Sequence, residues 1–386
     1  MEEGVKMRNR FLSTMSAGRL APAAVMLAGV VVAMSVISLP ASAQATNNAA
    51  AGPRTPDGHP DLQGTYDLAT MTPFERLPGD PPFLTKEQAE KLQKAEADRR
   101  AVNATHLDPN RPPLPVGGDK STGKSYFEIL EKAGGGAVGG YDRLWLNQGT
   151  AYNAVDGQIR TSIVTDPPDG KVPPFNEAAR KRRANAYGLP TSDAGENEDA
   201  KTPARPGEYD NPEQRPLSER CILGFGSTSG PPALPDYFYN DLHQIVQTPD
   251  TVMILSEMIH DARVVRMNAQ HLPPTIRRWM GDSVGHWEGD TLVIDTTNFN
   301  DKTRFHGSTE NLHVVERIKR LDAHTLLYRF TVDDPQTWDR SWSGEMAWPA
   351  TTQPIYEYAC HEGNYALGDV MRGARHLEAE EAAAKK

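Results

Sequence analysis

The chain carries 11 histidines and 51 Asp or Glu residues, and in its C-terminal half they bunch into four groups on or beside strand-like runs. The first is Glu257-Met-Ile-His260-Asp261-Ala-Arg263, where an imidazole next to a carboxylate has the orientation a general base needs. The same residues also suit a plain turn between two strands. The second contains His286, Glu288, Asp290 and Asp295. There Glu288-Gly-Asp290 has the chemistry of a hairpin turn, and Asp295 alternates with Val293 so as to face a cavity. The third runs from His306 through Glu310 and His313 to Glu316 and Arg317. Glu316 shares a strand face with Leu312, Val314 and Ile318, and burial there equips a carboxyl as proton donor or acceptor. An ion pair with an arginine on a neighbouring strand explains the same position equally well. The fourth is Tyr356-Glu357-Tyr358-Ala-Cys360-His361-Glu362, dense in phenols and carboxylates at a strand end.

From these groups the candidate catalytic residues are His286 or His361 as base and Glu316 or Glu357 as acid. Arg263 or Arg317 would stabilise developing negative charge, and His260 with Asp261 forms a further pair. No phosphate loop, nucleophile elbow, zinc-protease helix or paired Cys-x-x-Cys is present, so no cofactor is expected. A metal on His306, His313 or His361 has no fixed ligand spacing behind it. The only two cysteines, Cys221 and Cys360, are expected to form a disulfide.

The elements that would position these groups read as mainly β. Strand-like runs cover residues 243–247, 252–258, 262–267, 283–287, 291–299, 312–321, 325–333, 340–348 and 354–360, joined by short turns. Leu326, Tyr328, Phe330 and Val332 alternate with Leu327, Arg329, Thr331 and Asp333, the period of a strand with one face inward. Such a series reads as an antiparallel up-and-down meander that removes its edges by closing into a barrel over residues 221–365. Residues 56–220 read as a loop-rich segment packing on that barrel. It contains strands at 61–67, 141–147 and 158–165, a capping box at Thr85-Lys-Glu-Gln88, and a helix capped by Asn176. A C-terminal helix and tail occupy 366–386.

At the N-terminus, Lys6, Arg8, Arg10 and Arg19 precede an apolar run and then Ala41-Ser42-Ala43, the layout of a signal peptide cut after Ala43. A retained membrane anchor is the competing reading. Residues 44–55 read as a disordered linker. Cleavage takes the formal charge from −10 to −12, which argues against nucleic acid as partner, and no basic amphipathic helix argues for a membrane surface. The expected location is periplasmic or secreted.

Several of these stretches together resemble a family of secreted bacterial proteins. The matching segments are Pro56-Asp-Gly-His-Pro-Asp-Leu-Gln-Gly64, Asp166-Pro-Pro-Asp-Gly170, Arg215-Pro-Leu-Ser-Glu-Arg-Cys221, Gly281-Asp-Ser-Val-Gly-His-Trp-Glu-Gly-Asp-Thr-Leu-Val-Ile-Asp295 and Tyr356-Glu-Tyr-Ala-Cys-His-Glu-Gly-Asn364. The resemblance implies no reaction and assigns no residue a role. In architecture the meander is similar to lipocalin-like barrels, including hydratase- or cyclase-like relatives with acid–base residues inside the cavity. The expected function is therefore cofactor-free acid–base catalysis on a small apolar or aromatic molecule. The alternative is a periplasmic carrier that holds such a molecule unchanged, and a filled, purely structural barrel is the third reading.

Overall fold

Nine strands close into a barrel in the computed structural model, which describes residues 52–103, 147, 149–185, 209–215, 217–224, 230–235, 239–303 and 305–385. The expected signal peptide, most of the strand at 141–147 and the end of the Asn176-capped helix lie outside the described residues.

Strand β1 (Gly64–Asp67) is followed by β2 (Phe83–Leu84), helix α1 (Lys86–Asn103), β3 (Ala154–Val155), β4 (Gln158–Arg160), β5 (Val164–Asp166) and helix α2 (Glu177–Asn185). The C-terminal half supplies β6 (Leu242–Gln247), β7 (Thr251–Ser256), β8 (Ala262–Met267), β9 (Asp282–Glu288), β10 (Thr291–Thr297), β11 (His313–Arg320), β12 (Thr325–Asp333), β13 (Trp342–Thr351) and helix α3 (Ala366–Ala384). Around the barrel the order is β1-β6-β7-β8-β9-β10-β11-β12-β13, and β13 pairs back onto β1 to close it. Strand β5 adds to the first half of β13, while β2, β4 and β3 form a small separate sheet.

The barrel is as expected; the uninterrupted antiparallel meander is not. Strands β8 and β9 run parallel, Val265 opposite Ser283 and Met267 opposite Gly285. Each antiparallel junction reverses chain direction, so a ring of nine staves cannot reverse at every one. One parallel pair is obligatory, and its long crossover is residues 268–281. Strand β1, expected to pack on the barrel, is itself a stave. Residues 354–360 are not a strand, because the chain has already left the sheet at Thr351. Instead the Tyr356 amide donates to Glu257 Oε1 at 2.9 Å.

Local signals behave as their chemistry dictates. Thr85 and Gln88 exchange the two capping-box hydrogen bonds, and the Ala179 amide donates to Asn176 Oδ1 at 2.9 Å. Cys221 and Cys360 are disulfide-bonded. Among the described residues no helix is long and apolar enough to cross a membrane.

Side chains fill the barrel. Trp342, Trp348, Tyr328, Phe330 and Ile294 are at most 1% exposed. Trp342 is ringed by Phe74, Phe305, Phe330 and Trp338 at centroid distances of 5.7–6.1 Å. Gly344 faces inward at this crowded point. A Cβ on it would lie 2.6 Å from Phe330 Cε1 and 2.8 Å from the Ile163 carbonyl oxygen. Gly344→Ala is therefore expected to lower unfolding free energy by about 1–3 kcal/mol in a denaturant titration. Gly373→Ala, in α3 with no atom within 4 Å of the new methyl, is expected to be neutral or stabilising. Equal, small effects at the two sites would contradict a packed interior.

Candidate functional site

Of the eight predicted catalytic residues, the fold brings two together. Arg263 on β8 and Glu316 on β11 face each other across the barrel interior, 5% and 0% exposed. Glu316 accepts both guanidinium arms of Arg263, with the Nη2–Oε1 bond at 2.8 Å. Tyr328 donates its hydroxyl to the same Oε1 at 2.8 Å and accepts from the Ala233 amide at 2.7 Å. Trp348 stacks on Tyr328, centroids 4.4 Å apart, and the His243 ring lies 5.8 Å from Trp348. Burial, reinforced by the Glu316 charge, pushes the Tyr328 phenol well above its ordinary value. Burial removes charge from His243 too, taking its pKa to about 4, with Arg263 adding to the effect.

Both Glu316 oxygens are occupied, so the carboxylate is satisfied by its own network, and the ion-pair reading of the sequence is the one realised. Alternation alone did not single out His243 or Tyr328, because each sits where an apolar side chain would.

The other six candidates do not converge on this network. His286 and Arg317 lie on the outer face of the barrel, about half exposed, sharing Glu288 at 3.2 and 2.6 Å. Residues 282–288 alternate, and with Gly285 inward His286 must point out. His260 is exposed in the turn after β7, with Ile259 and His260 both at positive φ (65° and 47°). Asp261 is half-buried there, and burial raises its carboxyl above the usual value. Glu357 and His361 are exposed in the segment after the barrel closes. Asp295, expected to face a cavity, is outside the barrel. His271 Nε2 and His313 Nε2 each lie 2.9 Å from it, and His271 Nδ1 lies 3.1 Å from Asp282. Burial works to raise the Asp295 carboxyl, but the two imidazoles outweigh it and hold it low; the Asp295 hydrogen bond raises His313. His271 sits in the crossover, outside every strand-like run of the sequence. His306 packs on Phe74, far from forming a set with His313 and His361. Among the described residues no group of three or more His, Cys, Asp or Glu is placed to hold a metal.

A cavity of about 980 Å³ lies at the rim where β6 starts and β7 stops. Asp241 and Leu242 open β6, and Glu257 follows β7 directly. The opposite wall is the 353–360 segment, tied to residues 218–221 by the disulfide, and α3 covers it with Leu367 and Val370. Tyr356 and Tyr358 lie in that wall, and Tyr239 stacks on Tyr358 with centroids 6.3 Å apart. Glu357 belongs to this lining; His361, one residue past the disulfide, does not.

Searches against protein-family models, curated proteins and solved structures found no match for the chain.

Two outcomes follow from the interior network. Removing one member of a buried ion pair strands its partner, so Glu316→Gln and Arg263→Met are each expected to cost about 3–5 kcal/mol. Arg263→Met combined with Glu316→Leu is expected to cost clearly less than the sum of Arg263→Met and Glu316→Leu made singly, measured by a denaturant double-mutant cycle. For His243 the folded pKa lies below the unfolded one, so its contribution is complete above pH 6.5. It drains away as pH falls toward 4, by up to about 1.4 kcal/mol per pH unit. Thermal midpoints between pH 7 and 4 should fall less steeply in His243→Phe than in the parent; identical slopes would refute the assignment.

Proposed function

We propose that the protein is an exported small-molecule binding protein, its ligand held in the cleft between the barrel rim and the disulfide-tied strap. The observation that supports this reading is the cleft itself. Its volume, about 980 Å³, matches a site for a drug-sized molecule, and its walls mix apolar side chains with a few convergent polar groups. Helix α3 has no buried residue, yet it turns Leu367 and Val370 toward this space. Such apolar groups gain from covering by a ligand.

Acid–base catalysis inside the barrel draws less support. The inward positions are occupied by packed side chains, Glu316 is fully engaged, and His286 and His361 are outside. Export is supported by the signal-like N-terminus and fits the disulfide, since such bonds persist in oxidising compartments.

The test is mass spectrometry of small molecules released on unfolding protein purified from its native compartment. The parent should release one compound, chemically unaltered, near one equivalent per chain. Leu367→Trp, which fills the cleft, should release far less. Equal recovery from both proteins, or none from the parent, would refute the proposal.

A further inference from the structure

The lining of the cleft has a one-sided charge. Glu219, Asp241, Glu257, Glu357 and Glu362 border it, whereas no Lys, Arg or His does among the described residues. Glu219 is neutralised by Arg215, whose Nε and Nη2 donate at 2.9 and 3.0 Å. Glu257 has no such partner. It is 4% exposed, and its oxygens accept only the amides of Tyr356 at 2.9 Å and Leu242 at 3.4 Å. Among the described residues it makes no ion pair. A carboxylate taken out of water without a counter-charge is costly, and two backbone dipoles offset only part of that cost.

The surroundings narrow the missing charge. A divalent metal needs several oxygen or nitrogen ligands converging on one point, and no such group is present among the described residues. The remaining walls are Leu242, Leu367, Val370 and the phenol rings of Tyr239, Tyr356 and Tyr358. Aromatic faces attract a cation that carries its own hydrocarbon, and ammonium groups in particular.

We infer that the cleft selects an organic cation, an ammonium or similar head beside Glu257 and the tyrosines with an apolar body against α3. This rests on the cleft being the ligand site.

Isothermal titration with three shape-matched probes tests it: 4-phenylbutyltrimethylammonium, 4-phenylbutanol and 4-phenylbutyrate. The cation should bind about 10-fold or more tightly than the alcohol, and the carboxylate most weakly. Glu257→Gln should abolish the preference for the cation while leaving the alcohol's affinity unchanged. Tyr356 is 67% exposed, so Tyr356→Ala should leave the thermal midpoint intact and weaken the cation several-fold. If the alcohol or carboxylate binds the parent as well as the cation does, the cation inference falls and the cleft reading stands. The same holds if the preference survives Glu257→Gln. Should Glu257→Gln fail to fold, an unchanged preference in Tyr356→Ala overturns the inference. If no probe binds, or binding persists in Leu367→Trp, the cleft reading fails and takes the inference with it.

Discussion

A closed ring with an odd number of staves cannot be antiparallel throughout, and much of this molecule follows from that parity. The one parallel junction, β8 beside β9, forces a crossover that a hairpin cannot make, and residues 268–281 supply it. The crossover must then be held to the outer wall. His271 does this from both ring nitrogens, toward Asp282 and Asp295, while the Leu272 amide donates to Asp282 at 2.9 Å. Arg266, the last outward residue of β8, binds both oxygens of Asp282. Inside, the same junction is close enough that Gly285 lies against Val265 and Met267, where a Cβ would meet atoms at 2.8 and 2.9 Å. Asp295, read in the sequence as facing a cavity, is thus part of the fastening of the parallel stave.

Nine staves enclose a lumen narrow enough for side chains to fill it, which sets where chemistry can occur. The indoles of Trp342 and Trp348 and the rings of Tyr328 and Phe330 occupy that space. Among the described residues one charged pair, Arg263 with Glu316, lies within it. Arg263 and Glu316 belong to staves three places apart, so their contact spans the lumen and can form in only one relative alignment of β8 and β11. A hydrophobic replacement could match such a pair in stability. What the pair adds here is a demand on alignment, made stricter by Tyr328 and the Ala233 amide. With the interior committed to packing, the open space lies at the rim.

Sequence patterns resolved the long staves well, because alternation over six or more residues is a local property. The inward set of β12 follows directly from it, as do the caps at Thr85 and Asn176 and the pairing of the only two cysteines. Closure into a barrel was expected, but not that β1 would be the strand that makes it. Strands at β1 and β5 were expected, but these are four and three residues long and pair with strands well over a hundred positions away, so periodicity carries no information about their partners. Strand direction leaves no mark on composition either, which hid the parallel pair. Among site residues, Glu316 was recognisable as a charge on an apolar face, whereas His286, read as a base, faces out because it alternates with the inward Gly285. Glu257 opens the first of the four groups but was assigned no role there. Its significance comes from the 353–360 segment folding over it, a contact about a hundred positions away in sequence.

Four of the five distinctive segments of the sequence meet in pairs, 56–64 with 281–295 and 215–221 with 356–364. At the end where β9 stops and β10 starts, His59 stacks on Trp287 with centroids 4.6 Å apart and planes within 5°. Arg54 grips Asp290 beside them at 2.8 Å. At the other end the 215–221 and 356–364 segments join through the disulfide, and the Asn364 side chain donates to the Glu219 carbonyl at 3.5 Å. Both are straps over a filled barrel, but they differ in what lies beneath. The first closes ring on ring. The second is held off the rim by a covalent bond and by the Tyr356–Glu257 contact, leaving a space whose walls are set before anything enters. A site built this way spends little binding energy on ordering itself. In the binding function proposed above, that is what the strap would add beyond fastening the barrel.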